Sequence, residues 1–275
     1  NQDEFVTFNA ASGKKYISEG ISFDPKAFIA SVWKGYGAMV NNDGSCTNRE
    51  AFWQYMDELL PTDSENSERI ALDFYANEFN QAIAVTQPNS LSDKVVKKAK
   101  EKGIRTYLAT NPVFPKVATM NRIKWARLDA EDFELITTYE DNCYCKPNVD
   151  YYRTILEQFH LRPEECLMVG NDVEEILQFG NSGKDIPCYD TKENKKDLPI
   201  ESDYQGSMEE LFAFVEAWKM LKKFIEIPNF YCKCMADVVN YLSSIRREPE
   251  KSNDKKQRET DMKKKLLVVC GGTVQ

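Results

Sequence analysis

Two apolar segments, each followed directly by polar residues, constrain the fold of this 275-residue chain more than any other feature. The segment at 104–109 leads into Thr110-Asn111-Pro112, and the segment at 166–169 leads into Gly170-Asn171-Asp172. Short apolar runs of this kind are typical of buried parallel strands. In open α/β sheets, ligands bind beyond the carboxyl ends of the strands. The sequence therefore predicts a binding site that contains both polar groups.

A third polar signal, Cys145-Lys146-Pro147, lies between the other two along the chain. Taken alone, Thr110 is a common strand-end hydroxyl and Lys146 is a solvated lysine. The interpretation as a binding site therefore depends on the order in which the three signals occur along the chain. The Thr110 hydroxyl can donate to a phosphoryl oxygen, and Lys146 can neutralise its charge. A carboxylate such as Asp172 suits a hard metal ion. The three signals together indicate a site for an anionic, phosphate-like ligand.

The order and spacing of these signals resemble the haloacid dehalogenase-like (HAD) superfamily of phosphohydrolases. The resemblance implies that Thr110 and Lys146 are catalytic residues, and that Thr110, Asn111 and Lys146 bind the substrate phosphate. It also implies Mg²⁺ as the cofactor, with Asp172 as the best ligand and Asn171 competing for the same position. The implied partner is a small phosphorylated molecule, hydrolysed through an aspartyl-phosphate intermediate.

The chain departs from the family pattern at two places. The family's first motif, Asp-x-Asp-Gly-Thr, supplies the nucleophile and the acid/base, and no Asp-x-Asp stands anywhere in this sequence. A second Asp that often joins the metal site is replaced here by Ile176. The acidic residues around Asp172 can also be interpreted as a helix N-terminus that the helix dipole stabilises. The metal site is therefore poorer than the resemblance implies.

The C-terminal segment Leu267-Val-Val-Cys-Gly-Gly-Thr273 indicates where a first strand could lie. Its Gly272-Thr273 matches the family motif, with Val269 and Gly271 at the two Asp positions. A circularly permuted first strand without its carboxylates is one interpretation. We therefore expect the place beside the Thr110 strand to be vacant or occupied by residues 266–269. The same segment also resembles the start of a sugar phosphotransferase-system B component, whose cysteine carries phosphate.

The sequence divides into three parts. Residues 1–86 are predicted to be helical, at the place where one class of HAD proteins inserts a cap. Residues 87–218 alternate strands and helices, which predicts a doubly wound parallel sheet. Residues 219–275 form a helical and charged extension that ends in a strand-like segment, and 246–265 is expected to be an exposed linker. The predicted fold class is α/β, a HAD-like, Rossmann-like core with an N-terminal helical cap.

Capping signals predict several helix ends. Asp24-Pro25 begins one helix, and the capping box from Thr47 to Glu50 begins the next. A third helix is predicted from about Ser67 to Phe79. In the core, Ser92 is expected to cap a helix. The last core helix is expected to be capped near Ser207 and to run to Trp218.

Net charge and cysteine content limit the binding partners and the cellular compartment that we expect for the protein. The net charge of −8 argues against non-specific binding to nucleic acid or to an anionic membrane. No apolar run reaches the length of a membrane span, and no signal peptide is visible. Eight scattered cysteines in a chain of this size indicate reduced thiols and a cytoplasmic protein. The Cys-x-Cys pairs at 143–145 and 232–234 leave a four-thiolate zinc site as an alternative.

Three functional hypotheses follow. The first is a HAD-type phosphohydrolase that is inactive as written, because the nucleophilic Asp is absent. The second is a degenerate, non-catalytic phosphate-binding or interaction protein. The third is a fragment of an active enzyme whose first strand is missing from the sequence. The substrate stays unspecified, because in this family the variable cap sets it.

Overall fold

The computed structural model describes residues 12–19, 21, 24–57, 64–86, 88–170, 188–190, 204–225 and 266–269. Several predictions concern residues outside these ranges: the site residues Asn171 and Asp172, the helix expected after them, the Cys232–Cys234 pair and the linker at 246–265. Within the described ranges, none of the helices combines the length and apolarity that a membrane span requires.

The N-terminal part of the described chain is helical, as predicted. Its helices are α1 (residues 12–18), α2 (Pro25–Val40), α3 (Asn48–Asp57) and α4 (Ser64–Ala76), followed by a 3₁₀ helix (Glu78–Val85). The Asp24 carboxylate accepts a hydrogen bond from the Lys26 amide, which confirms the predicted start of α2. The Thr47 amide donates to the Glu50 carboxylate at 2.7 Å, and the Glu50 amide donates back to the Thr47 hydroxyl at 3.2 Å. The predicted capping box is therefore confirmed.

Helix α4 begins and ends three residues earlier than predicted. Its end has a local cause, because the Asn77 side-chain amide donates to the Asp73 carbonyl at 3.0 Å and to the Asp73 carboxylate at 2.9 Å. This side chain satisfies an acceptor of the last turn and closes the helix there. The remaining predicted residues continue as the 3₁₀ helix.

The second part of the chain alternates helices and strands. It contains α5 (Ser92–Glu101), β1 (Arg105–Leu108), α6 (Lys116–Trp125), β2 (Leu135–Ile136), α7 (Val149–Gln158), β3 (Cys166–Gly170), β4 (Cys188–Asp190), β5 (Tyr204–Gln205), α8 (Met208–Ile225) and β6 (Leu266–Val269). Short 3₁₀ helices at Ala130–Asp132 and Pro163–Glu165 precede β2 and β3.

Two predicted helix ends in this part differ from the structure. Ser92 is the first residue of α5 and not its cap, because Asn89 starts the turn: its side chain accepts from the Leu91 amide at 2.9 Å and its carbonyl accepts from the Ser92 amide at 3.2 Å. Helix α8 begins after Ser207 as predicted, but it continues past Trp218 to Ile225.

All six described strands form one parallel sheet in the order β2-β1-β6-β3-β4-β5. Strand β6 lies between β1 and β3, with Leu266–Val269 in register with Arg105–Leu108 on one side and with Cys166–Val169 on the other. The expectation that the tail occupies this position is confirmed. The parallel order with intervening helices also confirms the α/β fold class.

Helices cover both faces of the sheet. On one face, α7 packs Tyr151 and Ile155 against Tyr107 of β1 and Met168 of β3. On the other face, α5 and α8 pack against Leu167 and Val169 of β3 in a second cluster. The helical N-terminal part has its own cluster, which includes Tyr139 and Cys145 from the loops beyond β2. This last contact joins the helices to the carboxyl edge of the sheet.

Candidate functional site

Thr110 lies two residues beyond the end of β1, in a backbone segment that its neighbours hold firmly. Its carbonyl accepts hydrogen bonds from the Tyr151 hydroxyl at 2.7 Å and from the Thr137 hydroxyl at 2.8 Å. The Thr110 hydroxyl donates to the Asn111 carbonyl at 3.3 Å, and the residue is 7% exposed. Helix α7 and the segment after β2 therefore fix the backbone of the predicted second motif.

Lys146 lies against this segment. Its backbone amide donates to Asn111 Oδ1 at 3.1 Å, and the Lys146–Pro147 peptide bond is cis. Its side chain is 3% exposed, and its ammonium nitrogen lies 5.9 Å from the ring centroids of both Tyr151 and Tyr152. These distances fit cation–π contacts, which partly offset the cost of burying the charge. Thr110, Asn111 and Lys146 are thus brought together, as the sequence predicted.

The predicted fourth motif begins at the end of β3. Gly170 is the last residue of that strand and is in register with Asp190 of β4. Asn171 and Asp172 follow it in the sequence and lie outside the described residues, so their convergence with Lys146 stays a prediction.

The described residues at this edge do not by themselves fit a Mg²⁺ ion. Asn111 Oδ1 already accepts from the Lys146 amide, and Lys146 itself brings a positive charge. In the described ranges, His, Cys, Asp and Glu side chains form no group of three that could hold a metal. Mg²⁺ binding therefore depends on Asn171 and Asp172 and stays a prediction. Burial raises the pKa of the Cys145 thiol to about 12 in the metal-free chain. Cys232 and Cys234, the other half of the zinc alternative, lie outside the described residues, so that alternative stays a prediction.

Strand β6 ends at Val269, which is level with Leu108 of β1 and Val169 of β3. In the alignment with the first motif, Val269 stands at the position of the nucleophilic Asp. The sequence continues with Cys270-Gly271-Gly272, which contains no carboxylate either. Strand β6, which lies between β1 and β3, therefore ends without the carboxylate nucleophile that the resemblance implies.

Asn48, at the start of α3, is a residue of this region that sequence reasoning missed. It is fully buried, and its side-chain amide donates to the Pro112 carbonyl at 3.1 Å and to Cys145 Sγ at 3.2 Å. Its Oδ1 accepts from Asn42 Nδ2 at 2.9 Å. Asn48 therefore connects the helical part to the loops of both Thr110 and Lys146. In the sequence it is visible only as the residue after a capping threonine.

A second contact joins α3 and α4 to the loop after β2. The Tyr139 hydroxyl donates to Glu68 Oε1 at 2.9 Å and accepts from Trp53 Nε1 at 3.3 Å. Burial raises the pKa of Tyr139, so its hydroxyl stays protonated and able to donate. Arg49 forms an ion pair with the same Glu68 carboxylate. No local pattern signals this contact, because its members come from distant parts of the chain.

Comparisons with known proteins support the family indicated by the motifs. The pyrophosphatase PpaX of Bacillus cereus is 25% identical over 154 residues, which are 56% of this chain and 59% of that protein. PpaX of Bacillus thuringiensis matches to the same extent. The chain therefore matches about three fifths of the length of these curated relatives.

Two solved structures are similar to this chain at low sequence identity. CbbY from Rhodobacter sphaeroides, in complex with phosphate, is 16% identical with a TM-score of 0.47, covering 77% of this chain and 90% of that chain. L-2-haloacid dehalogenase from Xanthobacter autotrophicus is 15% identical with a TM-score of 0.40, covering 88% and 94%. The sequence model of the haloacid dehalogenase-like hydrolases matches residues 8–183, which are more than half of the chain. The chain therefore belongs to the haloacid dehalogenase-like hydrolases.

Proposed function

We propose that the carboxyl edge of β1 and β3 is a HAD-type phosphohydrolase site that binds a small phosphorylated molecule, and that this chain does not hydrolyse it. The observation that carries the proposal is the position of β6. This strand lies beside β1 and β3, where the nucleophile strand belongs, and it contains Val269 at the nucleophile position. A valine cannot form the covalent phosphoryl intermediate that the family reaction requires.

The ligand class follows from the charge and burial of the site. Lys146 is a buried cation within contact of the Thr110 loop, and a phosphoryl group would stabilise it through charge-assisted hydrogen bonds. The name of the relative PpaX, a pyrophosphatase, agrees with a phosphorylated ligand. In this proposal Lys146 neutralises the phosphate, Thr110 donates to it, and Asn111 holds the Lys146 backbone.

We further propose roles for the fourth motif and for the helical segment. Asp172, with Asn171 beside it, supplies the oxygen ligands for Mg²⁺. The helical segment acts as a cap that excludes water from the ligand. Its attachment through Asn48 to both motif loops supports this role.

Calorimetric titration with inorganic phosphate in the presence of Mg²⁺ tests the proposal. We expect the unmodified chain to bind phosphate and Lys146→Met to bind it at least about tenfold more weakly, because one charge-assisted contact contributes about 1.5–3 kcal/mol. Methionine keeps the length and apolar stem of the side chain while removing its charge. Lys124→Met, at an exposed lysine of α6, is the matched control and should bind like the unmodified chain.

Two results would contradict the phosphate site. One is equal phosphate affinity of Lys146→Met and the unmodified chain, when circular dichroism shows both to be folded. The other is an absence of binding at millimolar phosphate, which would favour the alternative of an interaction protein without a phosphate site.

A further inference from the structure

Two half-buried cysteines lie on the two segments that join the helical part to the loop before Lys146. Cys46 belongs to the α2–α3 loop, residues 41–47, and Cys143 lies three residues before Lys146. Both thiols are free. Neither cysteine has a role in the proposed phosphate site, so they are a separate feature of this contact.

Contacts on both sides of the two cysteines hold their segments together. At one end, Gly44 packs against Tyr144, whose hydroxyl fills the place that a Cβ atom at Gly44 would take. At the other end, the Asn48 backbone amide donates to the Asn142 carbonyl at 2.7 Å. The two cysteines lie between these contacts, one on each segment. Backbones joined by such a hydrogen bond lie about 5 Å apart, and a disulfide joins Cα atoms about 4.4–6.8 Å apart.

The position of Cys46 is fixed further by the side chain of Asn42. Its Nδ2 donates to the Cys46 carbonyl at 2.9 Å and to Asn48 Oδ1 at 2.9 Å. Burial, and to a smaller extent the negative charges of a Cys46 thiolate and of Glu50, raise the pKa of Cys143. A charge on one cysteine thus acts on the other, which agrees with their position between the two contacts.

Cys145, the next thiol along the chain, is less suited to react. It is 1% exposed, and its Sγ accepts from Asn48 Nδ2 at 3.2 Å. With a pKa raised to about 12 by burial, little of this thiol is ionised at neutral pH. Of the three cysteines on these two segments, Cys46 and Cys143 are therefore the pair that an oxidant reaches.

We propose that Cys46 and Cys143 form a reversible disulfide that fastens the α2–α3 loop to the loop before Lys146 when a small disulfide, such as glutathione disulfide, is the oxidant. One cysteine thiolate attacks a sulfur of the oxidant, which forms a mixed disulfide and releases one glutathione thiolate. The second cysteine thiolate then displaces the other glutathione and closes the bond. The two cysteines lose two protons and two electrons, and glutathione disulfide gains them as it becomes two molecules of glutathione.

Equilibration of the full-length chain in mixtures of glutathione and glutathione disulfide tests the site. Free thiols are then blocked with N-ethylmaleimide, and a digest is analysed by mass spectrometry without reduction. We expect a linked peptide pair that contains Cys46 and Cys143 and that disappears after treatment with dithiothreitol. Its equilibrium constant should be at least about tenfold larger in the folded chain than in concentrated urea, because folding holds the two segments together. The assay measures the bond itself and does not depend on phosphate binding.

A matched pair of variants makes the result specific to position 46. Cys46→Ser should abolish the linked peptide. Adding Ser45→Cys to that variant moves the thiol by one position, onto an exposed residue of the same loop. This double variant should form its link with an equilibrium constant at least about tenfold smaller than that of the unmodified chain.

Three outcomes would overturn the disulfide site, and two of them need only the unmodified chain. The first is a folded chain in which Cys46 and Cys143 stay blocked by N-ethylmaleimide, or are each linked to a different cysteine, at every ratio of the two glutathione forms. The second is an equal equilibrium constant in the folded chain and in urea, which would mean that folding does not bring the two thiols together. The third is a double variant that forms its link as readily as the unmodified chain.

Discussion

Asn48 is the residue through which helix α3 contacts both loops of the candidate site. Its side-chain amide donates to the Pro112 carbonyl in one loop and to Cys145 Sγ in the other. Its side-chain oxygen accepts from Asn42 Nδ2. Its backbone amide also donates to the Asn142 carbonyl at 2.7 Å. Loss of this side chain would remove its hydrogen bonds to the Pro112 carbonyl, to Cys145 Sγ and to the Asn42 amide, and losing hydrogen bonds to buried groups costs free energy.

We expect Asn48→Ala to lower the free energy of unfolding by about 2–3 kcal/mol, because buried partners lose their hydrogen bonds. Gln54→Ala, at an exposed amide side chain of the same helix, is the matched control and should change it by less than about 0.5 kcal/mol. Urea unfolding followed by circular dichroism measures both values. Equal values for the two variants would show that Asn48 does not connect the helical part to the site.

The sequence singled out three residues that the structure brings together, but not the side chains that support them. Thr110, Asn111 and Lys146 were singled out because each follows a strand or precedes a proline in a fixed order, and their roles stay a prediction. Tyr151 and Thr137, which hold the Thr110 carbonyl, carry no such signal. A tyrosine on the apolar face of a helix is predicted to be a core residue. The group that its hydroxyl contacts depends on how elements that are distant in sequence pack together.

At the scale of elements, an ion pair at one end of the sheet connects β1 to the segment before β2. The Arg105 guanidinium donates to both oxygens of Glu134, and the Tyr107 hydroxyl donates to Glu134 Oε2 at 3.1 Å. Arg105 and, to a smaller extent, the Tyr107 hydroxyl hold the pKa of Glu134 below its ordinary value of 4.5. The pair is partly exposed, with side-chain exposures of 31% and 43%, so its contribution to stability is modest.

The lowered pKa of Glu134 sets the sign of a pH dependence. Its stabilising contribution is fully present above 4.5, the ordinary pKa, and is lost as the pH falls through the lower folded-state pKa. We expect Glu134→Gln to lower the free energy of unfolding by about 0.5 kcal/mol at pH 7, and this difference from the unmodified chain should shrink as the pH falls below the ordinary pKa of 4.5. Urea unfolding at a series of pH values gives the comparison.

Glu157→Gln, at an exposed glutamate of α7, is the control for this pH series and should show little change at either pH. A difference between Glu134→Gln and the unmodified chain that grows on acidification would contradict the assigned ion pair.

Helix starts were predictable where a polar side chain accepts from a backbone amide of the first turn. Asp24, Thr47 and Ser207 each make this hydrogen bond, and each begins its helix as predicted. The prediction was wrong at Ser92, because the earlier Asn89 forms the turn that starts α5. Asn89 and Ser92 are both suitable polar residues near the start of α5. Which of them forms the turn depends on the direction from which the backbone enters the helix, and the sequence pattern does not give that direction.

At the scale of the whole molecule, the central strand of the sheet comes from the far end of the chain. The alternation of strands and helices predicted a parallel sheet, and the Gly272-Thr273 match suggested where the tail belongs. The register of β6 against β1 and β3 was beyond the sequence, because four apolar residues fit a parallel sheet in several registers. The attachment of the helical part to the loops was also beyond it, since that contact depends on buried side chains such as Asn48.

The hydrolysis rate of a generic aryl phosphate tests the account most directly. The purified chain is assayed with and without Mg²⁺, beside buffer and beside Asp172→Ala prepared in the same way. Because Val269 ends the strand that would carry the nucleophile, we expect phosphate release no faster than in buffer under either condition. Mg²⁺-dependent turnover by the unmodified chain that Asp172→Ala abolishes would contradict the account, since it would show that a nucleophile acts at this site.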